Sequence, residues 1–293
     1  MSPPTTALLW GLAPAAVLAR CQWSHIQDAT DAYLESQTSG KPYAMFLSDK
    51  LVYRENNRII SPRAGIINKP LAIAHQHRLI DQDGCASYIE QIVTDPKNPY
   101  VIGTQLRFNE SSGGGPGLTV ASVDSIVTTT GDWLFNASKT LSYVVKEDWG
   151  TMDQDARPDR GTLRAVANLY LDLWGNEKSR VPWGSPCDRL EGSAYTGNGS
   201  ASDSCAVGIP TGPQPPVTDR RYVYDETVGA VSVLCTMGAM GDAPDSHEFR
   251  VEGERLRYVH TMTVLRNQTA NQTTNQTATP RLRRVRRSIN LHG

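Results

Sequence analysis

The chain repeats itself, and that repeat constrains its fold more than any single motif. Ser24–Ser36 reads as a helix followed by strand-like segments ending in Thr119–Thr128; Thr162–Trp174 reads as a second helix followed by segments ending in Arg255–Val264. The closing segments compare residue by residue, Ala121-Ser122-Val123-Asp124-Ser125-Ile126 against Arg257-Tyr258-Val259-His260-Thr261-Met262. Arg78-Leu79-Ile80-Asp81 answers Arg221-Tyr222-Val223-Tyr224-Asp225, one residue out of step. A repeat this long specifies two similar α+β units, since a solenoid stacks several short ones. The 293 residues accommodate two domains of roughly 120 residues each.

Helical spacing of Ile26, Ala29 and Tyr33 supports the first helix, which Gly40 and Pro42 should stop; Leu163, Val166, Tyr170 and Leu173 repeat the pattern. Leu71, Ile73, His75, His77 and Leu79 alternate and so share one face of a strand. Tyr100–Phe108 and Leu118–Thr128 read as a hairpin across the Gly-rich 111–117. His247–Val251 and Leu256–Val264 form its counterpart, turned at Gly253. The expected organisation is a leader at 1–19, a first unit at 20–148, a second at 160–265 and a low-complexity basic tail at 266–293.

The leader reads as a secretory signal: Leu8–Leu12 and Ala15–Ala19 are apolar, and small Ala16 and Ala19 offer a cleavage point near Ala19–Arg20. Six Asn-X-Ser/Thr triplets, at Asn109, Asn136, Asn198, Asn267, Asn271 and Asn275, suit N-linked glycans on that route. Five cysteines in an oxidising compartment predict two disulfides and a spare thiol. Cys187–Cys205, flanking a Gly/Ser-rich loop, is the preferred pair and Cys21–Cys85 the next. With the six tail arginines set aside from 29 basic residues, 23 face 30 acidic ones. Such an acidic body argues against nucleic acid as partner. No later run has the length of a membrane span, so the processed chain is expected off the membrane and extracellular.

One long amphipathic helix followed by antiparallel strands, twice over, resembles the cone-shaped nuclear transport factor 2-like, or SnoaL-like, fold. That resemblance implies two tandem α+β cone-like domains, each a curved antiparallel sheet wrapped around helices with a pocket at one end. Longer motifs resemble a family of secreted fungal proteins, a domain of unknown function. They are Leu47–Asn57, Ile92–Asp95 with Pro99–Gln105, Asp124–Asn136, Val181–Cys187 and Pro244–Glu252. The resemblance covers roughly residues 21 to 265. It implies a compartment and a fold, and no reaction.

Chemistry is sought in two places. His260 lies in phase with Leu256, Tyr258, Met262 and Val264, and His247 with Phe249 and Val251. If their strands pair around Gly253, both imidazoles approach one pocket, with Asp245, Asp225 or Glu226 to orient them. A carboxylate-held histidine in a dry pocket moves protons without a cofactor. In the first unit Asp124 takes the place of His260, with His75 and His77 to act as base. The competing reading makes His260 a core histidine and pairs Asp124 with Arg78. His75-Gln76-His77 could also offer a metal two ligands with Asp81 or Asp83, but Gln82 stands where a cupin-like site needs glutamate. Neither a metal nor a cofactor is therefore expected. The expected function is binding of a small apolar molecule with cofactor-free isomerase, dehydratase or cyclase chemistry. That reading requires a cavity of several hundred Å³ beside His260. The alternative is a non-catalytic ligand- or protein-binding module.

Overall fold

A computed structural model describes residues 21–42, 45–110 and 117–265. The leader, the tail and the sequons at Asn267, Asn271 and Asn275 lie outside the described residues, as does most of the Gly-rich hairpin loop.

Each unit contributes a six-stranded sheet and a helix lying on one of its faces. Helix α1 (Trp23–Ser39) buries Ile26, Thr30, Tyr33, Ser36 and Gln37, one stripe at helical spacing. It ends at Gly40, whose φ of 67° places its N–H on the Ser36 carbonyl. Strand β1 (Leu47–Glu55) and the short β2 (Arg58–Ile59) precede a four-strand meander. The meander comprises β3 (Ile73–Asp81), β4 (Ala86–Val93), β5 (Tyr100–Glu110) and β6 (Leu118–Thr128), and the sheet order is β2-β1-β6-β5-β4-β3.

After α2 (Ala137–Val144), capped by the Asn136 side chain, the plan recurs. It runs through α3 (Arg160–Leu171), β7 (Trp183–Glu191), β8 (Ala194–Tyr195), β9 (Val217–Asp225), β10 (Ala230–Met237), β11 (Ala243–Glu252) and β12 (Arg255–Thr263), ordered β8-β7-β12-β11-β10-β9. The hairpin β11–β12 turns at Gly253 and Glu254, both with positive φ.

Two expectations change. The sheets are mixed rather than antiparallel, because β1 pairs in parallel with β6 and β7 with β12. The connection at 56–72 carries the chain from one sheet edge to the other, so the strand closing the meander returns beside β1 in the same direction. The repeat is also in step where the motif comparison was offset. Ala86 pairs with Asp81 and Ala230 with Asp225, so these residues correspond and Arg221 matches His77. By the same count Gln105 matches Glu248, Asp124 matches His260, Leu234 matches Glu90 and Thr104 matches His247.

The two sheets pack against each other through the faces their helices leave open. Tyr88, Ile92, Val223, Leu234 and Met262 share one apolar cluster across that interface. The edge strands β3 and β9 exchange reciprocal bonds across it: Ile80 N–H donates to Asp225 (2.8 Å) and Tyr224 N–H to Asp81 (3.1 Å). Both carboxylates are buried, and each satisfies the other unit's backbone. Cys21–Cys85 ties the start of α1 to the first meander, and Cys187–Cys205 pins the long loop before β9. Cys235 is free and buried.

Candidate functional site

Neighbouring strands lie about 4.8 Å apart, so register decides which side chains meet. Glu191, Thr261 and His247 form one row across β7, β12 and β11, and Thr263 and Asp245 sit two residues along. This row is on the α3 side of the second sheet. A cavity of about 540 Å³ opens there, lined by Tyr170, Trp174, Arg189, Glu191, His247 and Thr261 among others, with Ile209 and Pro210 from the disulfide-pinned loop. Its size suits a small-molecule site.

His247 Nδ1 is 3.1 Å from Asp245 Oδ2, and Thr263 donates to Asp245 Oδ1 at 2.9 Å. The Cys235 thiol donates to the same carboxylate at 3.8 Å. A carboxylate against Nδ1 favours the tautomer protonated there, leaving Nε2 to accept a proton. The ring is held edge-on to Tyr170 (5.6 Å between centroids) and stacked on Phe249 (5.7 Å). Burial pushes the Tyr170 hydroxyl to about 12 despite the neighbouring Arg189. Burial also holds the Cys235 thiol well above its ordinary value, assisted by Asp245.

Arg189 is buried, donating to the Cys205 and Val207 carbonyls and to Glu191, while its Nε–H has no partner among the described residues. Trp133, from the segment joining the units, closes one wall by donating to Glu191 at 2.9 Å.

The corresponding place in the first unit is filled. Tyr53, Thr104 and Ser125 stand where Arg189, His247 and Thr261 stand in the second. The Tyr33 hydroxyl meets Thr104 at 3.1 Å, and Thr104 meets Ser125 at 2.9 Å. A hydroxyl chain of this kind has no group that titrates near neutral pH.

His260 does not join His247. Adjacent residues on a strand face opposite ways, and His247 pairs with Thr261, so His260 points to the inter-sheet interface. It is buried there, its Nδ1 3.2 Å from both Glu90 oxygens and its Nε2 2.6 Å from Glu147. Burial would lower its pKa, but Glu147 and Glu90 outweigh that and raise it well above the ordinary histidine range.

Asp124 and His75 are likewise not brought to a first-unit pocket. Asp124 accepts from Arg221 at 2.7 Å and Arg54 at 3.0 Å in the interface, while Arg78 pairs with Asp31 instead. His75 lies half-buried near His77, and burial lowers its pKa. Asp225 and Glu226 serve backbone N–H groups at the unit junction rather than orienting a histidine.

Sequence reasoning missed Arg189, Tyr170, Glu191 and Trp133 at the cavity, and Glu90, Glu147 and Glu248 at the interface. The available signal was Glu90, a carboxylate set among Tyr88, Ile89, Ile92 and Val93 in a strand-like run.

Residues 156–263, the second unit, match the family described as a domain of unknown function, DUF8021. No curated protein matches the chain.

Proposed function

We propose that the protein is a secreted, glycosylated small-molecule-binding protein whose second unit carries an acid–base site at His247, cofactor-free and built on a cone-like, SnoaL-type domain. One observation carries this reading: a 540 Å³ cavity that includes a histidine backed by a buried carboxylate. The walls are largely apolar, with Arg189 and Glu191 as the charged exceptions, which suits an apolar metabolite bearing a carbonyl.

His247 Nε2 would take a proton from the carbon beside that carbonyl, and the bonding pair would move to the carbonyl oxygen as an enolate. Arg189, also on the cavity wall, is the cation that would stabilise that charge. Where a C=C adjoins that carbon the enolate extends over it, and return of the proton to the far alkene carbon shifts the double bond into conjugation, an isomerisation with no oxidant or cofactor. Both disulfides, the exposed Asn109, Asn136 and Asn198, and the lack of any helix long and apolar enough to span a membrane among the described residues support the secreted compartment.

Incubating the protein with apolar cyclic ketones in D₂O tests the chemistry. Deuterium should enter the α-carbon with wild type and not with His247→Gln, while ligand binding persists. Equal exchange in both proteins rules out His247 as the base. A second reading, a non-catalytic binder, is favoured by the near-complete burial of the His247 ring against Phe249 and Tyr170. It predicts binding without exchange in either protein.

A further inference from the structure

The cluster around His260 has more acid than the interface needs. Glu90, Glu147 and Glu248 bury their side chains against two imidazoles, those of His260 and His77. Across the pseudo-two-fold axis the corresponding residues are Leu234, Gln105, Asp124 and Arg221 in place of Glu90, Glu248, His260 and His77. There a single carboxylate, Asp124, meets Arg221 at 2.7 Å and Arg54 at 3.0 Å. Packing two such sheets therefore does not call for three buried carboxylates. With all three carboxylates ionised and both imidazoles protonated, the His260 side carries a net charge of −1, which is costly to bury without compensation.

The positions are those of a coordination shell. Ligating atoms of Glu90, Glu248 and His260 all lie within 4.8 Å of one another, and all three residues are buried. His260 Nδ1 sits at the same 3.2 Å from both Glu90 oxygens. Atoms bound at about 2.1 Å to one ion stand roughly 3.0–3.4 Å apart. The outward atoms of His260 and Glu248 are already held from outside. His260 Nε2 lies against Glu147, which also accepts from Trp149 Nε1 at 2.8 Å. Glu248 Oε1 is 2.7 Å from His77 Nε2, whereas Glu248 Oε2 is buried without a partner among the described residues. A ligating histidine whose second nitrogen faces a carboxylate is the usual outer-shell arrangement of a metal site.

We propose that Glu90, Glu248 and His260 Nδ1 bind a divalent first-row transition-metal ion between the two sheets, with Glu147 and His77 orienting them. The donor set, two carboxylates and one imidazole, suits Zn²⁺, Mn²⁺ or Fe²⁺. The ion replaces the proton on Nδ1 and, with His77 protonated, brings the cluster to neutrality. His77, whose side chain is 15% exposed, marks the side from which an ion enters. The site lies on the face of the second sheet opposite the His247 cavity and does not depend on the function proposed for that cavity.

The full chain, stripped by chelation and dialysed, is titrated calorimetrically with Zn²⁺ and Mn²⁺, and Co²⁺ loading is read by visible absorption. One ion per chain is expected, with a Co²⁺ spectrum of nitrogen and oxygen ligands. Glu248→Gln installs the residue found at the pseudo-symmetric position and should weaken binding at least tenfold while the circular dichroism is unchanged. Cys235, Asp245 and His247 form another group close enough to share an ion, so Cys235→Ser is run alongside and should leave binding unaltered. A folded wild type that takes up neither ion overturns the proposal. So does loss of binding in Cys235→Ser with retention in Glu248→Gln. Should Glu248→Gln fail to fold, the wild-type titration and Cys235→Ser still decide.

Discussion

Replacing Arg221 by methionine isolates what holds the two sheets together on the side away from His260. The guanidinium donates to Asp124 (2.7 Å), to Asn57 (2.6 Å) and to its neighbour Asp219. Its side chain is 16% exposed and that of Asp124 11%. Removing one partner of a buried ion pair costs about 3–5 kcal/mol, because the other charge stays behind unpaired. Asp124 keeps Arg54 at 3.0 Å, a contact with a more solvated arginine, so the expected loss is reduced to about 2 kcal/mol. For a chain of this size that corresponds to roughly 4–8 °C in Tm. Urea denaturation of wild type, Arg221→Met, Asp124→Leu and the double variant measures it. The double variant should recover part of the loss, because no charge is then stranded. A single-variant loss below about 0.5 kcal/mol, or strictly additive losses, would refute the reasoning about this interface.

Three other outcomes follow from the same contacts. His260→Ala leaves Glu90 and Glu147 without their shared imidazole and should cost about 3–5 kcal/mol in denaturation; a Tm near wild type contradicts its buried, paired placement. Replacing both Cys187 and Cys205 by alanine opens a loop of 18 residues and should cost about 3 kcal/mol. Ile209 and Pro210 follow four and five residues after Cys205, so ligand affinity at the cavity should fall as well. Cys235 should resist maleimide in the native protein and react once in denaturant, as burial and the raised pKa require; native labelling would place it outside the core.

Local and repeated features were legible in the sequence. Gly40 marks the end of α1, Gly253 turns the second hairpin, and the match of Asp124 with His260 survives in the sheet register. Both expected cysteine pairs form. The parallel pairing of β1 with β6 was not legible, since it joins strands separated by the whole meander and leaves no local pattern.

The face assignment of His260 failed for a physical reason. Both faces of these sheets are covered, one by a helix and one by the other sheet, so β4 is buried at every position. An apolar phase then shows that a residue is inside without showing which layer it enters. For the same reason Glu90 was hidden within a continuous buried strand. Glu147 and Trp149 were hidden in the polar junction, although the Trp149 ring packs 4.9 Å from both His77 and His260.

Whether ligand enters the His247 cavity is read by a fluorescence titration of the full chain with the same apolar ketones, in wild type and Ala239→Trp. Trp133 and Trp174 line the cavity and report occupancy, while tryptophan at Ala239, also on its wall, fills it. A saturable change in wild-type emission is expected, abolished by Ala239→Trp without loss of fold. Equal affinity in the two proteins would place the ligand elsewhere and contradict the assignment of this cavity as the functional site.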